Sequence, residues 1–282
     1  MCGTCGCSTP APPVQTTANP ATPDARDAGR DTVPVMEPLL AENDRQAAHN
    51  RAHLDAAGVV CVNLMSSPGA GKTTLLEATI KALGLTWRIG VIEGDLETET
   101  DAQRIRKAGA VAHQITTGTA CHLDAAMVHR ALHHLDLASL DLLVIENVGN
   151  LVCPACFDLG QHANAVLLSV PEGDDKPAKY PVMFRAADLV LLTKADLLAT
   201  VGDFAPETAA AHVRALATGV PVVTLSARRP DSLTPWFHWL ATLRETRHAS
   251  GRKTGNAAAR GSDSMAPRSG GPIGARIGVR GQ

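Results

Sequence analysis

The run Ser66-Ser-Pro-Gly-Ala-Gly-Lys-Thr-Thr74 constrains the fold more than any other stretch of this chain. It follows an apolar segment, Val59–Met65, and opens a helical one, Thr73–Leu83. A turn of this kind leaves backbone N–H groups unpaired at a helix N-terminus, where the helix dipole also favours an anion. Gly69, Ala70 and Gly71 permit close approach to phosphate oxygens. Lys72 neutralises β- and γ-phosphates, and the Thr73 hydroxyl, with Thr74 beside it, suits magnesium. The strict pattern has Gly where Ser66 stands, but the Gly-Lys-Thr-Thr core has the required strand before it and helix after it.

The rest of the chain repeats this alternation. Strands are expected at Arg88–Ile92, Val111–Ile115, Leu142–Ile145, Ala165–Val170, Leu189–Leu192 and Pro221–Leu225. Helices are expected near Asp101–Ala108, His122–Leu135, Pro206–Leu216 and Ser232–Leu243. Continuous apolar strands between amphipathic helices predict an α/β fold with a doubly wound, mostly parallel sheet covered on both faces. Met36–Ala57 reads as a helix, with Pro38 in its first turn and Gly58 as its stop. The reading therefore divides the chain into a cysteine motif at 1–7, a disordered linker at 8–35, a helix at 36–57, a nucleotide-binding domain at 58–247 and a disordered basic tail at 248–282.

Two loops extend the nucleotide reading. Leu142-Leu-Val-Ile-Glu146 ends a buried strand on an acid suited to a magnesium shell or a water, and Gly149 offers an N–H to a γ-phosphate. Asp95 is a second candidate carboxylate; Asp101 is a weaker one that also suits a helix cap. Thr193-Lys194-Ala195-Asp196 follows a strand, and an Asp there accepts from the N1–H and N2–H₂ edge of guanine, which adenine lacks. Lys194 would lie along the base, with Ser226 and Ala227 behind it. The alternative for Asp196 is a helix N-cap. No arginine finger or glutamine is evident beside the phosphate loop, so turnover should be slow.

A charge near −2 gives no global field for nucleic acid, and no apolar run is long enough to cross a bilayer. The absence of a secretory signal pattern predicts a cytoplasmic protein in which seven cysteines serve as metal ligands or thiols, not disulfides. Cys2, Cys5 and Cys7 place three soft donors together, to which the Cys2 amine would add a fourth; a reactive terminus without metal is the alternative. Cys121, His122 and Cys153 fall at carboxyl ends of strands, where such sheets build sites. They are too few for a closed cage in one chain, though two facing chains could complete one; otherwise they are ordinary thiols and a surface His. Cys153-Pro-Ala-Cys156 also admits a redox pair. His129 and His133 share a helix face, which fits metal but more readily a solvated surface.

Together these residues resemble a known family, the nickel-incorporation GTPases of hydrogenase maturation (the HypB family). The likeness runs through Cys2-Gly-Thr-Cys5-Gly-Cys7, Leu39-Leu-Ala-Glu-Asn-Asp44, the phosphate loop, Ile92-Glu-Gly-Asp95, Gly118-Thr-Ala-Cys-His-Leu-Asp124, Glu146-Asn-Val-Gly-Asn-Leu-Val-Cys-Pro154, Ser169-Val-Pro-Glu-Gly-Asp-Asp-Lys-Pro177 and Thr193-Lys-Ala-Asp196. The family shares the Ser66 departure. The resemblance implies a GTPase that cycles between GTP and GDP with magnesium, forms a homodimer favoured by GTP, and delivers nickel(II) to [NiFe]-hydrogenase. It implies a tight nickel site at Cys2, Cys5 and Cys7 and a weaker nickel or zinc(II) site at Cys121, His122 and Cys153. The implied partners are a small zinc-containing nickel chaperone and the [NiFe]-hydrogenase large-subunit precursor. Rival readings are a GTPase chaperone of the urease-accessory or cobalamin type, which the terminal cysteines disfavour, and a non-enzymatic nickel or zinc buffer.

Overall fold

A computed structural model of the protein describes residues 33–95 and 99–261. In chain order the elements are α1 (Val33–Ala57), β1 (Val60–Ser66), α2 (Lys72–Leu83), β2 (Ile89–Asp95), α3 (Thr100–Ala108), β3 (Val111–Thr116), α4 (Ala125–Leu132), β4 (Leu142–Glu146), β5 (Ala163–Ser169), α5 (Lys176–Lys179), α6 (Pro181–Arg185), β6 (Leu189–Thr193), α7 (Leu198–Val201), α8 (Pro206–Leu216), β7 (Val222–Thr224) and α9 (Thr234–Gly261). The seven strands form one sheet in the order β3-β2-β4-β1-β5-β6-β7, and every pairing is parallel.

Successive strand residues point to opposite faces, so a sheet buried on both sides needs apolar residues at every position. The central strands meet that demand. Val60, Val62 and Leu64 of β1 join Leu75, Leu76, Ile80, Ile105, Trp236 and Leu240 in a core beneath α2, α3 and α9. The alternate residues feed the other face. There Cys61, Leu143 and Ile145 pack with Leu54, Val128 and Leu132 of α1 and α4. Val166, Leu168, Val190 and Leu192 pack with Met183, Phe184 and Val213 of α6 and α8. Trp236 is fully buried and its indole N–H donates to Thr79 Oγ1 at 2.9 Å, which ties α9 to α2.

Gly58 ends α1 as expected: it adopts a positive φ of 70°, and the N–H of Val59 returns to the carbonyl of Leu54 at 3.0 Å. Other boundaries differ from the sequence reading. α1 starts at Val33, not Met36, and so takes in the end of the expected linker. α9 runs to Gly261, past the expected end of the domain at 247 and into the segment read as tail. β2 continues through Glu93 to Asp95 instead of stopping at Ile92. The helix expected from His122 begins at Ala125, because the Asp124 side chain caps it by accepting from the Met127 N–H at 2.7 Å. The expectations for residues 1–32 and 262–282, including Cys2, Cys5 and Cys7, lie outside the described residues.

Candidate functional site

β1 lies at the centre of the sheet, and its carboxyl end carries the phosphate loop. Gly69 and Gly71 have φ values of 75° and 99°, conformations that a side chain would strain, and Gly71 is the N-cap of α2. Lys72 is buried and donates from Nζ to Ser66 Oγ at 3.0 Å. Thr73 Oγ1 donates to Glu146 Oε1 at 2.8 Å. A cavity of about 440 Å³ opens here, lined by Gly69, Gly71, Lys72, Thr73, Thr74, Asp95, Glu146, Gly149 and Lys194 among others. The loop and the acids expected around it are thus brought together.

Sequence reasoning missed Glu93, which lines the same cavity. The register of β2 against β4 sets Glu93 opposite Glu146, and both are buried. Burial pushes the Glu93 carboxyl up to about 11, with the negative charge of Glu146 adding to the effect. Burial also raises Glu146, against the pull of Lys72. Glu93 Oε2 and Glu146 Oε2 are both buried with no hydrogen-bond partner. Two such oxygens beside a threonine hydroxyl fit a hard divalent cation, which takes oxygen donors and removes the repulsion. The signal was present in the sequence: Glu93, like Glu146, is an acid that follows directly on an apolar run, here Ile89–Ile92.

Arg104 was also missed. It lines the cavity from α3, with its guanidinium held by Glu77 at 2.7 Å and Asp101 at 2.8 Å. Asp101 therefore sits in the first turn of α3 and faces an arginine, while Glu99 occupies the N-cap position.

A second cavity of about 290 Å³ continues from the first, sharing Gly71, Thr74 and Lys194. Its walls are Ala70, Thr193, Asp196, Leu225, Ser226, Ala227 and Arg228 among others. Thr193 Oγ1 donates to the Ala70 carbonyl at 2.7 Å and ties this loop to the phosphate loop. Lys194 holds the one positive φ of a described non-glycine residue, 57°. Ser226 Oγ donates to Asp196 Oδ1 at 2.6 Å and lowers the carboxyl below its ordinary range, which keeps it an acceptor.

Cys121, His122 and Cys153 converge, with their donor atoms all within 4.8 Å of one another. The two sulfurs are 3.3 Å apart, and Cys121 Sγ is 3.8 Å from His122 Nδ1. The His122 ring stacks on Phe157 at 4.0 Å, and burial lowers its pKa, favouring the neutral form that a metal binds. Cys156 is exposed at the end of the short turn Cys153–Cys156 and lies outside this donor group.

Residues 147–153 join the two centres. The Asn147 N–H donates to the Leu64 carbonyl at 3.0 Å, and Asn147 Oδ1 accepts from the Leu123 N–H at 3.3 Å. The Asn150 N–H donates to the Ser66 carbonyl at 2.8 Å, while its Nδ2 donates to the Cys121 carbonyl at 3.4 Å. Both asparagines bind the phosphate loop or its strand on one side and the turn carrying Cys121 and His122 on the other.

Residues 59–224 match the family "CobW/HypB/UreG, nucleotide-binding domain". The chain is 50% identical over 213 residues to the hydrogenase maturation factor HypB of Azotobacter vinelandii, covering 76% of this chain and 70% of that protein. It is 43% identical over 224 residues to the hydrogenase/urease maturation factor HypB of Helicobacter pylori, covering 77% and 90%. The crystal structure of Helicobacter pylori HypB in complex with nickel superposes with a TM-score of 0.70 at 43% identity, over 73% of this chain and 96% of that one.

Proposed function

Because the chain belongs to the HypB family of hydrogenase maturation factors, we propose that it is a GTP-hydrolysing nickel metallochaperone that inserts nickel during [NiFe]-hydrogenase maturation. The observation that carries this reading is the single segment leaving β4 at Glu146. It passes the phosphate loop at Asn150 and brings Cys153 to Cys121 and His122.

The loop N–H groups of residues 69–73 cradle the phosphates, and Lys72, held by Ser66, neutralises their charge. Asp196 accepts from the guanine edge, Lys194 lies along the base, and Ser226 and Ala227 close the pocket behind it. Thr73, Asp95 and Glu146, with Glu93 opposite, would hold magnesium, which supplies charge neutralisation at the phosphates when bound. Asp95 positions the attacking water. Arg104 is engaged by Glu77 and Asp101, so among the described residues of this cavity no arginine stands free for the transition state, and turnover is slow, roughly 10⁻⁴ to 10⁻² s⁻¹.

Nickel is cargo. Cys2, Cys5 and Cys7 form the tight site, and Cys121, His122 and Cys153 a weaker one that also accepts zinc. Three protein donors leave a tetrahedral position open, which suits transfer or completion by a second chain. GTP favours the homodimer, and hydrolysis lowers the hold on nickel, which passes to the hydrogenase large-subunit precursor. A small zinc-containing chaperone of the same pathway is the further partner.

Nickel titration of the reduced protein, with GDP and with a non-hydrolysable GTP analogue, tests the reading. The Cys2→Ala, Cys5→Ala, Cys7→Ala triple variant should lose the tight site and keep a weaker, nucleotide-sensitive one. Lys72→Ala should abolish GTP turnover and keep the tight nickel. Equal nickel affinity in both nucleotide states would end the switch reading.

A further inference from the structure

Two helices each present a pair of histidines one turn apart: His49 and His53 on α1, His129 and His133 at the end of α4. The helices pack so that the four rings make one cluster. Centroids are 4.3 Å apart for His49 and His53, 4.6 Å for His129 and His133, 5.0 Å for His49 and His129, and 6.1 Å for His53 and His133. His49 and His133 are exposed and the other two half-buried, so an ion has access from solvent. None of the four lines the nucleotide cavities or belongs to the thiol site.

One buried side chain sets the chemistry of the cluster. Asn50 is fully buried, and its Nδ2 donates to the carbonyls of Ala125 at 2.8 Å and Leu159 at 3.0 Å. Those two bonds fix which end of the amide is nitrogen, so the atom facing His129 Nδ1 at 3.0 Å is Oδ1, an acceptor. His129 must therefore carry its proton on Nδ1, which leaves the Nε2 lone pair directed at the cluster. Metal-bound histidines are commonly oriented this way, with the second ring nitrogen donating to an oxygen. His129 Nε2 lies 3.1 Å from His133 Nε2. Two nitrogens bound to one ion at about 2.0–2.1 Å would be separated by roughly 2.9–3.4 Å. An i, i+4 histidine pair on one helix face is a familiar way of holding such an ion.

We propose that His49, His53, His129 and His133 form a third metal site, for a divalent ion of the nickel(II), copper(II) and zinc(II) class that imidazole favours. His129 and His133 supply the principal donors through Nε2; no three of the four rings bring nitrogens within 4.8 Å of one another, so His53 and His49 complete the shell from α1 by turning toward the ion. When the ion binds, the proton between the two Nε2 atoms passes by way of solvent to His133 Nδ1, so both rings stay neutral and both Nε2 lone pairs face the ion. Burial, followed by the charges of His133, His49 and His53, lowers the pKa of His129 and keeps it in the neutral form a metal takes. The site is independent of the nucleotide reading.

The test is equilibrium dialysis of the full-length, reduced chain against nickel(II), with stoichiometry and thiolate-to-nickel absorption read together. His129→Gln with His133→Gln should lose one nickel equivalent, or weaken it at least tenfold, while the thiolate absorption stays unchanged. His49→Gln with His133→Gln removes exposed rings only and keeps the test valid if the first variant folds poorly. Unchanged nickel stoichiometry and affinity in the second variant would overturn the proposal. A variant with Cys2, Cys5, Cys7, Cys121 and Cys153 changed to Ser should still bind one nickel through nitrogen and oxygen donors alone. Binding none would also overturn it.

Discussion

At the scale of the residue, the Glu93–Glu146 pair predicts how the unliganded protein responds to pH. Burial and the facing carboxylate move Glu93 from an ordinary 4.5 to about 11. Between those values the folded chain holds a proton that the unfolded chain has released. The stabilisation is therefore complete below about pH 4.5 and declines as pH rises toward 11, by at most ~1.4 kcal/mol per pH unit for one proton. Glu93→Gln preserves the neutral shape and removes the titration. The melting temperature of the unliganded variant should fall less steeply than wild type between pH 6 and 9, and magnesium should raise it less. Calorimetry across pH decides: parallel curves would show that Glu93 is already ionised in the fold. Asp196 makes a separate prediction. Asp196→Asn removes a charged acceptor worth about 1.5–3 kcal/mol, so GDP should bind ~10- to 160-fold more weakly. Xanthosine diphosphate, with a carbonyl where guanine has an amine, should bind better than to wild type. Competition against a fluorescent nucleotide measures both, and an unchanged preference for guanine would return Asp196 to a helix-capping role.

At the scale of the element, the α2–α9 contact sets how firmly the phosphate loop is anchored, because α2 begins at Lys72. The bond from Trp236 to Thr79 is buried at both ends. Thr79→Val keeps the shape and leaves the indole N–H unsatisfied, at a cost of about 1–3 kcal/mol. Urea unfolding should show a lower midpoint at unchanged slope, and no loss would mean that the indole finds another acceptor. The same elements show what the sequence made legible. Strand–helix alternation was readable because a doubly covered parallel sheet demands unbroken apolar strands, as in Leu142–Ile145 and Leu189–Leu192. Gly58 was readable as a stop because helix termination is local. The approach of Cys121 to Cys153 could be suspected only from their shared end of the sheet, since strand order brings them together. The facing of Glu93 with Glu146 depends on β2 pairing with β4 instead of β1. His129 and His133 read as a solvated face because His49 and His53 are distant in sequence and meet them only once α1 packs on α4.

At the scale of the whole molecule, the proposed switch requires the nucleotide and thiol centres to share a coupling free energy, and reciprocity makes that demand strict. If a GTP analogue changes nickel affinity by some factor, nickel must change the affinity for that analogue by the same factor, typically 5- to 150-fold. Asn150 is the place to break the link, because its backbone holds the Ser66 carbonyl and its side chain holds that of Cys121. It supplies no donor atom to the metal group and does not line the phosphate cavity. Gly149 beside it leaves no slack: a Cβ there would lie 2.8 Å from Pro68 Cα, so any shift of the phosphate loop is felt by the segment leading to Cys153. Asn150→Ala keeps the backbone bond and removes both side-chain bonds, the one donated to the Cys121 carbonyl and the one accepted from the Val152 N–H at 2.8 Å. Titrating nickel at fixed nucleotide, and nucleotide at fixed nickel, in a chain lacking Cys2, Cys5 and Cys7 isolates the inner site. Both factors should fall together toward one, while nucleotide affinity without metal stays within about threefold of wild type. Factors that persist at their wild-type values would place the coupling elsewhere, with Asn147 and its bond to Leu123 as the next path to cut.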